Sequence, residues 1–167
     1  MMNILRVARS AGLPDWMIGA GFVRNRVWDE LHEFAERHRG DDVDLIYFDP
    51  LEPSEATDKQ VERELGKLVA VNWSVKNQAR MHAVHGDPPY ESTEDALANW
   101  VETATCVAVT LLPDDGLKLI APHGLDDLVN LVIRANPARH DPESLERRVR
   151  AKRWLEIWPK LRLIKPS

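Results

Sequence analysis

Apolar residues in this chain of 167 residues change their spacing several times, and that change restricts the possible folds. Residues 22–37 carry apolar side chains three to four positions apart, which predicts a helix. Residues 43–48 alternate around Asp44 with a period of two, which predicts a strand closed by Asp49-Pro50. Ser54 is a candidate N-cap for a helix that extends to about Val71. Helical and extended segments that alternate in this way predict an α+β (mixed α/β) fold.

The second half of the chain continues the same alternation. Residues 73–80 alternate as a strand, and residues 103–112 are apolar and β-branched, which also favours a strand. Asp114-Asp115-Gly116 is a turn signal before residues 117–120, so we expect a hairpin there. Residues 125–133 have a helical pattern. No linker interrupts the chain, and we therefore expect one domain, 1–167, with a mixed sheet flanked by helices.

Composition and charge restrict the classes of function. Hydrophobic residues make up 44% of the chain and charged residues 29%, which is typical of a globular protein. The net charge of −5 makes nucleic acid an unlikely partner, without excluding it, because binding by charge alone needs a broad basic surface. No apolar run approaches the roughly 20 residues that span a bilayer, and no secretory signal is present. One cysteine, Cys106, excludes a Cys-based zinc site, and we expect a cytoplasmic protein that does not act on membranes.

The sharpest chemical feature is Asp42-Val43-Asp44. Residues two apart in a strand project from the same face, so these two carboxylates lie side by side. Their repulsion is relieved by a divalent cation, and Mg²⁺ prefers oxygen ligands together with water and phosphates. Asp42 and Asp44 are therefore candidate metal ligands. The alternative is that Asp42 belongs to a turn and Asp44 to a solvated strand face.

A short glycine turn, Gly19-Ala20-Gly21, precedes the helix predicted from residue 22. Glycines let the backbone approach a ligand closely, and a helix N-terminus offers free N–H groups, so this turn is a candidate phosphate cradle. Alternatively it is only a helix-entry turn. Arg24 is a candidate phosphate contact or a partner for a nearby acid, and Asn25 a candidate brace of the turn. Lys76 and Asn77 are candidate lining residues of the same pocket.

The glycine turn followed by the acidic strand resembles the nucleotidyltransferase superfamily that includes DNA polymerase β. The stretch Ala20 to Asn25 is also similar to the Gly-Gly-x-Val-Arg-Asp motif of tRNA nucleotidyltransferases. The resemblance is stronger to a family of small bacterial nucleotidyltransferase-like proteins and extends over nearly the whole chain. Its shared residues are Asp15-Trp16, Arg24-Asn25, Trp28-Asp29, Leu31-His32 and the runs Asn77 to His82, Thr93 to Leu97, Glu102 to Thr105 and Gly124 to Leu128.

The resemblance implies a fold, a reaction and a set of site residues. Asp42 and Asp44 would hold Mg²⁺ or Mn²⁺, and the glycine turn would hold the triphosphate of a nucleoside triphosphate. A hydroxyl acceptor, unknown from the sequence, would attack the α-phosphate and release pyrophosphate.

One departure from the superfamily concerns a third carboxylate, which should lie on a neighbouring strand. Residues 73–80 contain no acid, and their inward positions are either Ser74 and Lys76 or Val75 and Asn77. Glu102 is the substitute candidate for this catalytic acid. Two alternative functions remain open: a non-catalytic nucleotide-binding or regulatory module, and a toxin–antitoxin-type modifier of RNA or protein.

Overall fold

A five-stranded mixed sheet forms the centre of the computed structural model, which describes residues 1–38, 42–139 and 142–164. The strand order is β3-β2-β1-β4-β5; β2 and β3 are parallel, and the other neighbours are antiparallel. The strands are β1 (Met17–Gly19), β2 (Val43–Tyr47), β3 (Trp73–Asn77), β4 (Ala108–Leu111) and β5 (Leu117–Ile120). Strands β6 (Val132–Arg134) and β7 (Arg162–Ile164) form a small parallel pair. The expected mixed sheet is confirmed.

Helices flank this sheet. They are α1 (Met2–Ser10), α2 (Gly21–Leu31), α3 (Glu55–Leu68), α4 (Gln78–His85), α5 (Thr93–Ala98), α6 (Asp126–Val129), α7 (Pro142–Ala151) and α8 (Trp154–Ile157), with a 3₁₀ turn at Thr103–Thr105. Ser54 caps α3 as expected, because its hydroxyl accepts a hydrogen bond from the Ala56 N–H at 3.2 Å. Among the described residues, no helix combines the length and the apolar composition that crossing a bilayer requires.

The two faces of the sheet differ in how they are covered. On one face, Leu45, Tyr47 and Val75 belong to a large core that includes residues of α1, α2 and α3. That core continues into the C-terminal helices, where the rings of Trp154 and Trp158 pack edge-on against Trp28. The other face carries a smaller cluster, which consists of Met17, Ile46, Leu97, Ala108 and Ile120 with Trp100 packed against it. A cavity lined by Asp44, Ile46 and Lys76 lies on this second face.

Several predicted boundaries were wrong, and the backbone gives the reason. The helix predicted for 22–37 ends at Leu31, shortly before Glu33 with its positive φ of 57°. The segment predicted as a helix at 125–133 divides into α6 and β6, with Leu131 at φ 57° between them.

Two predicted strands are shorter in the structure than in the sequence pattern. The strand predicted for 103–112 begins only at Ala108, because Thr103–Thr105 form the 3₁₀ turn. The strand predicted for 73–80 ends at Asn77, whose side chain caps α4 by accepting a hydrogen bond from the Ala79 N–H at 3.0 Å.

Candidate active site

The two aspartates of the acidic strand line one cavity of about 200 Å³. Asp44 lies in β2, and Asp42 directly precedes this strand. Burial and the negative charge of Asp42 raise the pKa of Asp44 above its ordinary value, while Ser74 on β3 opposes the shift by hydrogen bonding. The structure therefore brings Asp42 and Asp44 together, and the charge of Asp42 disfavours ionisation of Asp44.

The glycine turn connects β1 to α2 beside these carboxylates. Ala20 has φ 51° and ψ −126°, a conformation that L-residues rarely adopt. Its carbonyl accepts the Arg24 N–H at 2.9 Å and so closes the first helical turn, but no side chain among the described residues caps α2. Ala20 and Gly21 both line the acidic cavity. The start of α2 thus offers N–H groups to an anion next to Asp42 and Asp44.

The two glycines of the turn allow neighbouring side chains to pack closely against the backbone. A Cβ atom added to Gly19 would lie 2.9 Å from Cη2 of Trp100, so the indole ring sits directly on β1. A Cβ atom added to Gly21 would lie 3.2 Å from Nδ2 of Asn25. Asn25 therefore packs against the turn. Gly19 leaves space for the ring of Trp100, whereas Ala20 is the residue with the unusual backbone conformation.

Arg24 is buried and bound to the protein itself. Its Nη1 donates to Thr105 Oγ1 at 2.8 Å and lies 3.8 Å from Glu102 Oε1. The guanidinium also lies over the ring of Trp154, 4.2 Å from its centroid. Burial lowers the pKa of Arg24 to about 10, and the charge of Glu102 opposes this shift. Between the two alternatives for Arg24, the structure shows a pairing with an acid, although its side chain also lines the acidic cavity.

Glu102 is buried at the border of the site. Its Oε1 accepts a hydrogen bond from Arg148 Nε at 3.1 Å and another from the Thr105 hydroxyl. Its Oε2 has no hydrogen-bond partner among the described residues. Glu102 and Asp44 line the same second cavity, of about 240 Å³. The substitute acid thus comes near the acidic strand, but two arginines neutralise it.

Arg148 and Lys152 are the site residues that the sequence analysis missed. Arg148 lies in the last turn of α7 and Lys152 directly follows this helix, and both line the cavity of Asp42 and Asp44. The guanidinium of Arg148 lies 5.6 Å from the ring centroid of Trp154. Their spacing places them on one helix face, but a basic helix face is normally solvated, so only the packing of α7 reveals their role.

Lys76 and Asn77 lie on opposite faces of β3. The register pairs Asp44 with Ser74 and Ile46 with Lys76, so Lys76 shares the face of Asp44 and lines the second cavity. Asn77 is fully buried on the other face, where its Nδ2 donates to the carbonyls of Asp49 at 2.8 Å and Glu52 at 3.0 Å. Of the two inward pairs considered, Ser74 and Lys76 face the site.

The donor set fits a metal that takes part of its ligands from the substrate. Within the described ranges, no cluster of three or more His, Cys, Asp or Glu side chains could enclose a metal ion. Asp42 and Asp44 offer carboxylate oxygens beside space for water and phosphate. Mg²⁺ is usually bound in this way, through one or two carboxylates plus substrate phosphates.

The fold is that of a nucleotidyltransferase head domain. A family model described as Nucleotidyltransferase matches residues 6–163, and the chain belongs to this family. A comparison with curated protein sequences finds no match. The predicted resemblance to nucleotidyltransferases is confirmed.

Solved structures support the same assignment. An NMR structure described as revealing a CCA-adding enzyme head domain is 29% identical with a TM-score of 0.84, over 99% of this chain and 89% of that one. A tRNA-processing enzyme with CTP is 21% identical, with a TM-score of 0.56, over 96% of this chain and 43% of the enzyme. The Thermotoga maritima CCA-adding enzyme complexed with tRNA is 18% identical, with a TM-score of 0.59, over 98% of this chain and 38% of the enzyme. The chain therefore spans less than half of these two enzymes, which share its fold.

Proposed function

We propose that this protein transfers a nucleoside monophosphate from a nucleoside triphosphate to a hydroxyl acceptor, with Mg²⁺ or Mn²⁺ as the cofactor. The observation that carries the proposal is the shared cavity of Asp42, Asp44 and the uncapped start of α2. In the reaction, the acceptor oxygen forms a bond to the α-phosphorus, and the hydroxyl proton passes to solvent. The bond from that phosphorus to the bridging oxygen breaks, and its electron pair leaves with pyrophosphate.

Each group around the cavity has a separate task in this proposal. Asp42 and Asp44 hold the metal, which supplies charge neutralisation at the reacting phosphate when bound. The free N–H groups at the start of α2 donate hydrogen bonds to phosphate oxygens. Lys152, which lines the same cavity, adds positive charge for the triphosphate and the leaving pyrophosphate. The protein therefore contributes positioning and charge, with no covalent intermediate.

The nucleotide part of the proposal also draws on the structural neighbours. One neighbour is described with CTP and another with tRNA. Binding of a nucleoside triphosphate is the property carried over to this chain. The net charge of −5 favours an acceptor other than a long nucleic acid.

Calorimetric titration tests the proposal directly. Each nucleoside triphosphate is titrated into the parent protein and the Asp44→Asn variant, with Mg²⁺ and with EDTA, and pyrophosphate release is followed separately. We expect binding that requires both Mg²⁺ and Asp44. Equal affinity of the parent and of Asp44→Asn for the nucleoside triphosphate in Mg²⁺ would refute the proposal that this strand binds the metal.

A matched control separates the site from net charge. Glu64→Gln makes the same charge change on α3, where Glu64 forms only an exposed ion pair with Lys67 at 2.7 Å. This variant should bind nucleotide like the parent. A loss of affinity equal to that of Asp44→Asn would mean that overall charge, and not the site, controls binding.

A further inference from the structure

Two cavities meet at Asp44. The first contains Asp42, Lys152 and the start of α2, and the second lies over β2 and β3; both are lined by Ala20, Asp44 and Arg148. In-line displacement at phosphorus requires that the attacking oxygen approach from the side opposite the leaving oxygen, with the phosphorus between them. If the first cavity holds the triphosphate, a hydroxyl in the second cavity can reach the α-phosphorus.

We propose that the second cavity is the acceptor site, and that it takes a small hydroxyl compound with one anionic group, a phosphate or a carboxylate. This inference rests on the proposed function. It goes further because it names the chemistry of the acceptor from the side chains of this chain.

The cation of the second cavity that is free to bind an anion is Lys76. Arg148 pairs with Glu102 at 3.1 Å, and Arg139 pairs with Asp87 at 2.5 Å, so both guanidinium groups already have a counter-charge. Within the described ranges, the half-buried ammonium group of Lys76 lines the cavity and forms neither a hydrogen bond nor a salt bridge, and its charge interacts with that of Glu62 without a direct contact. A half-buried cation without a hydrogen-bonded counter-charge favours an anionic ligand.

The position of Lys76 sets the length of the ligand. Ser74, the register partner of Asp44, lies two residues before Lys76 on β3. Two residues of a strand correspond to about 7 Å, so the hydroxyl and the anionic group should be separated by roughly that distance. About six covalent bonds in an extended chain give this separation, as between a hydroxyl oxygen and a phosphate oxygen of a pentose phosphate.

The remaining walls suit a small organic body. Ile46, Met81 and Trp100 supply apolar surface between the two polar ends. The indole ring holds this position because β1 carries Gly19, whose missing Cβ would lie 2.9 Å from Trp100 Cη2. The volume of about 240 Å³ is below the 300–1,000 Å³ of ordinary ligand pockets, which favours a small acceptor over the end of a structured RNA.

Paired acceptors test the charge requirement. Ribose 5-phosphate, glycerol 3-phosphate and ribonate are compared with ribose and glycerol, and with an oligoribonucleotide that has a free 3′-hydroxyl. Transfer is measured from α-labelled nucleoside triphosphates with Mg²⁺. Binding is measured by calorimetry in the presence of a non-hydrolysable triphosphate analogue. We expect at least one anionic acceptor to bind about tenfold more tightly than its neutral counterpart, and phosphate and carboxylate are distinguished by which one binds.

Two lysine variants locate the effect. Lys76→Met should abolish the preference for the anionic acceptor and leave the affinity for the nucleoside triphosphate unchanged. Lys118→Met is the matched control, because Lys118 is an exposed lysine on β5 of the same sheet, outside both cavities. It should retain the parent's preference.

The outcomes separate this inference from the proposed function. Absence of Mg²⁺-dependent triphosphate binding overturns the proposed function itself. Triphosphate binding without any preference for an anionic acceptor, or an unchanged preference in Lys76→Met, overturns only the acceptor site. Labelling of the oligoribonucleotide alone also overturns it.

Discussion

Replacing Glu102 by Gln separates two roles for the buried acid beside the site. Glu102 is fully buried, and its Oε1 faces two cations, Arg148 Nε at 3.1 Å and Arg24 Nη1 at 3.8 Å. If the acid acts as their counter-charge, its loss should destabilise the fold. If it is a catalytic base, its loss should reduce turnover and leave stability unchanged.

The size of the effect follows from the burial of Arg24. The side chain of Arg24 is 6% exposed, whereas that of Arg148 is 38% exposed and can turn to solvent. Glu102→Gln therefore leaves one buried cation without a counter-charge, which costs about 3 kcal/mol. For a chain of this length, that loss lowers Tm by roughly 6–12 °C.

Urea unfolding at pH 7 measures this loss of stability. The double variant Arg24→Met/Glu102→Gln removes the orphaned cation, so the two changes together should cost clearly less than their sum. Glu64→Gln on α3 is the control and should lie within about 0.5 kcal/mol of the parent. A Glu102→Gln protein with unchanged stability and no turnover would refute the counter-charge role and support Glu102 as the third catalytic acid.

Three further predictions concern other groups. Asp58→Ala should cost about 3 kcal/mol in urea unfolding, because buried Asp58 accepts hydrogen bonds from Tyr47 at 2.7 Å and Arg80 at 2.5 Å; a loss below 1 kcal/mol would contradict this. Burial, and after it the charge of Glu102, raises the pKa of the Cys106 thiol to about 12, so thiol reagents should react with Cys106 only when the protein unfolds. The free energy of unfolding should also fall as pH rises above 9.0, the ordinary pKa of a thiol. Burial and the charge of Asp42 raise the pKa of Asp44, so ionising Asp44 costs stability once pH exceeds 3.8, the ordinary pKa of this carboxyl. At pH 7 in EDTA, Asp44→Asn should therefore unfold at a higher urea concentration than the parent. A lower urea midpoint would count against this reasoning.

The order and type of many elements follow from the sequence. Apolar periodicity predicted the strand around Asp44, the helix after Ser54 and the hairpin that Asp114-Asp115-Gly116 closes, and the structure has all three. These elements depend on local spacing and on turn or cap residues, which act within a few positions along the chain. The resemblance to nucleotidyltransferases was predictable for the same reason, because its motifs are short and contiguous.

The composition of the site depended on tertiary packing. The sequence placed Asp42 and Asp44 on one face, but it left open whether Ser74 and Lys76 or Val75 and Asn77 face them, because a strand of period two has equivalent faces until a neighbour fixes the register. Arg148 reaches the acidic cavity only because α7 packs back onto the core through contacts distant in sequence. Local pattern therefore determined where the acids lie, whereas long-range packing decided which cations and which cavity surround them.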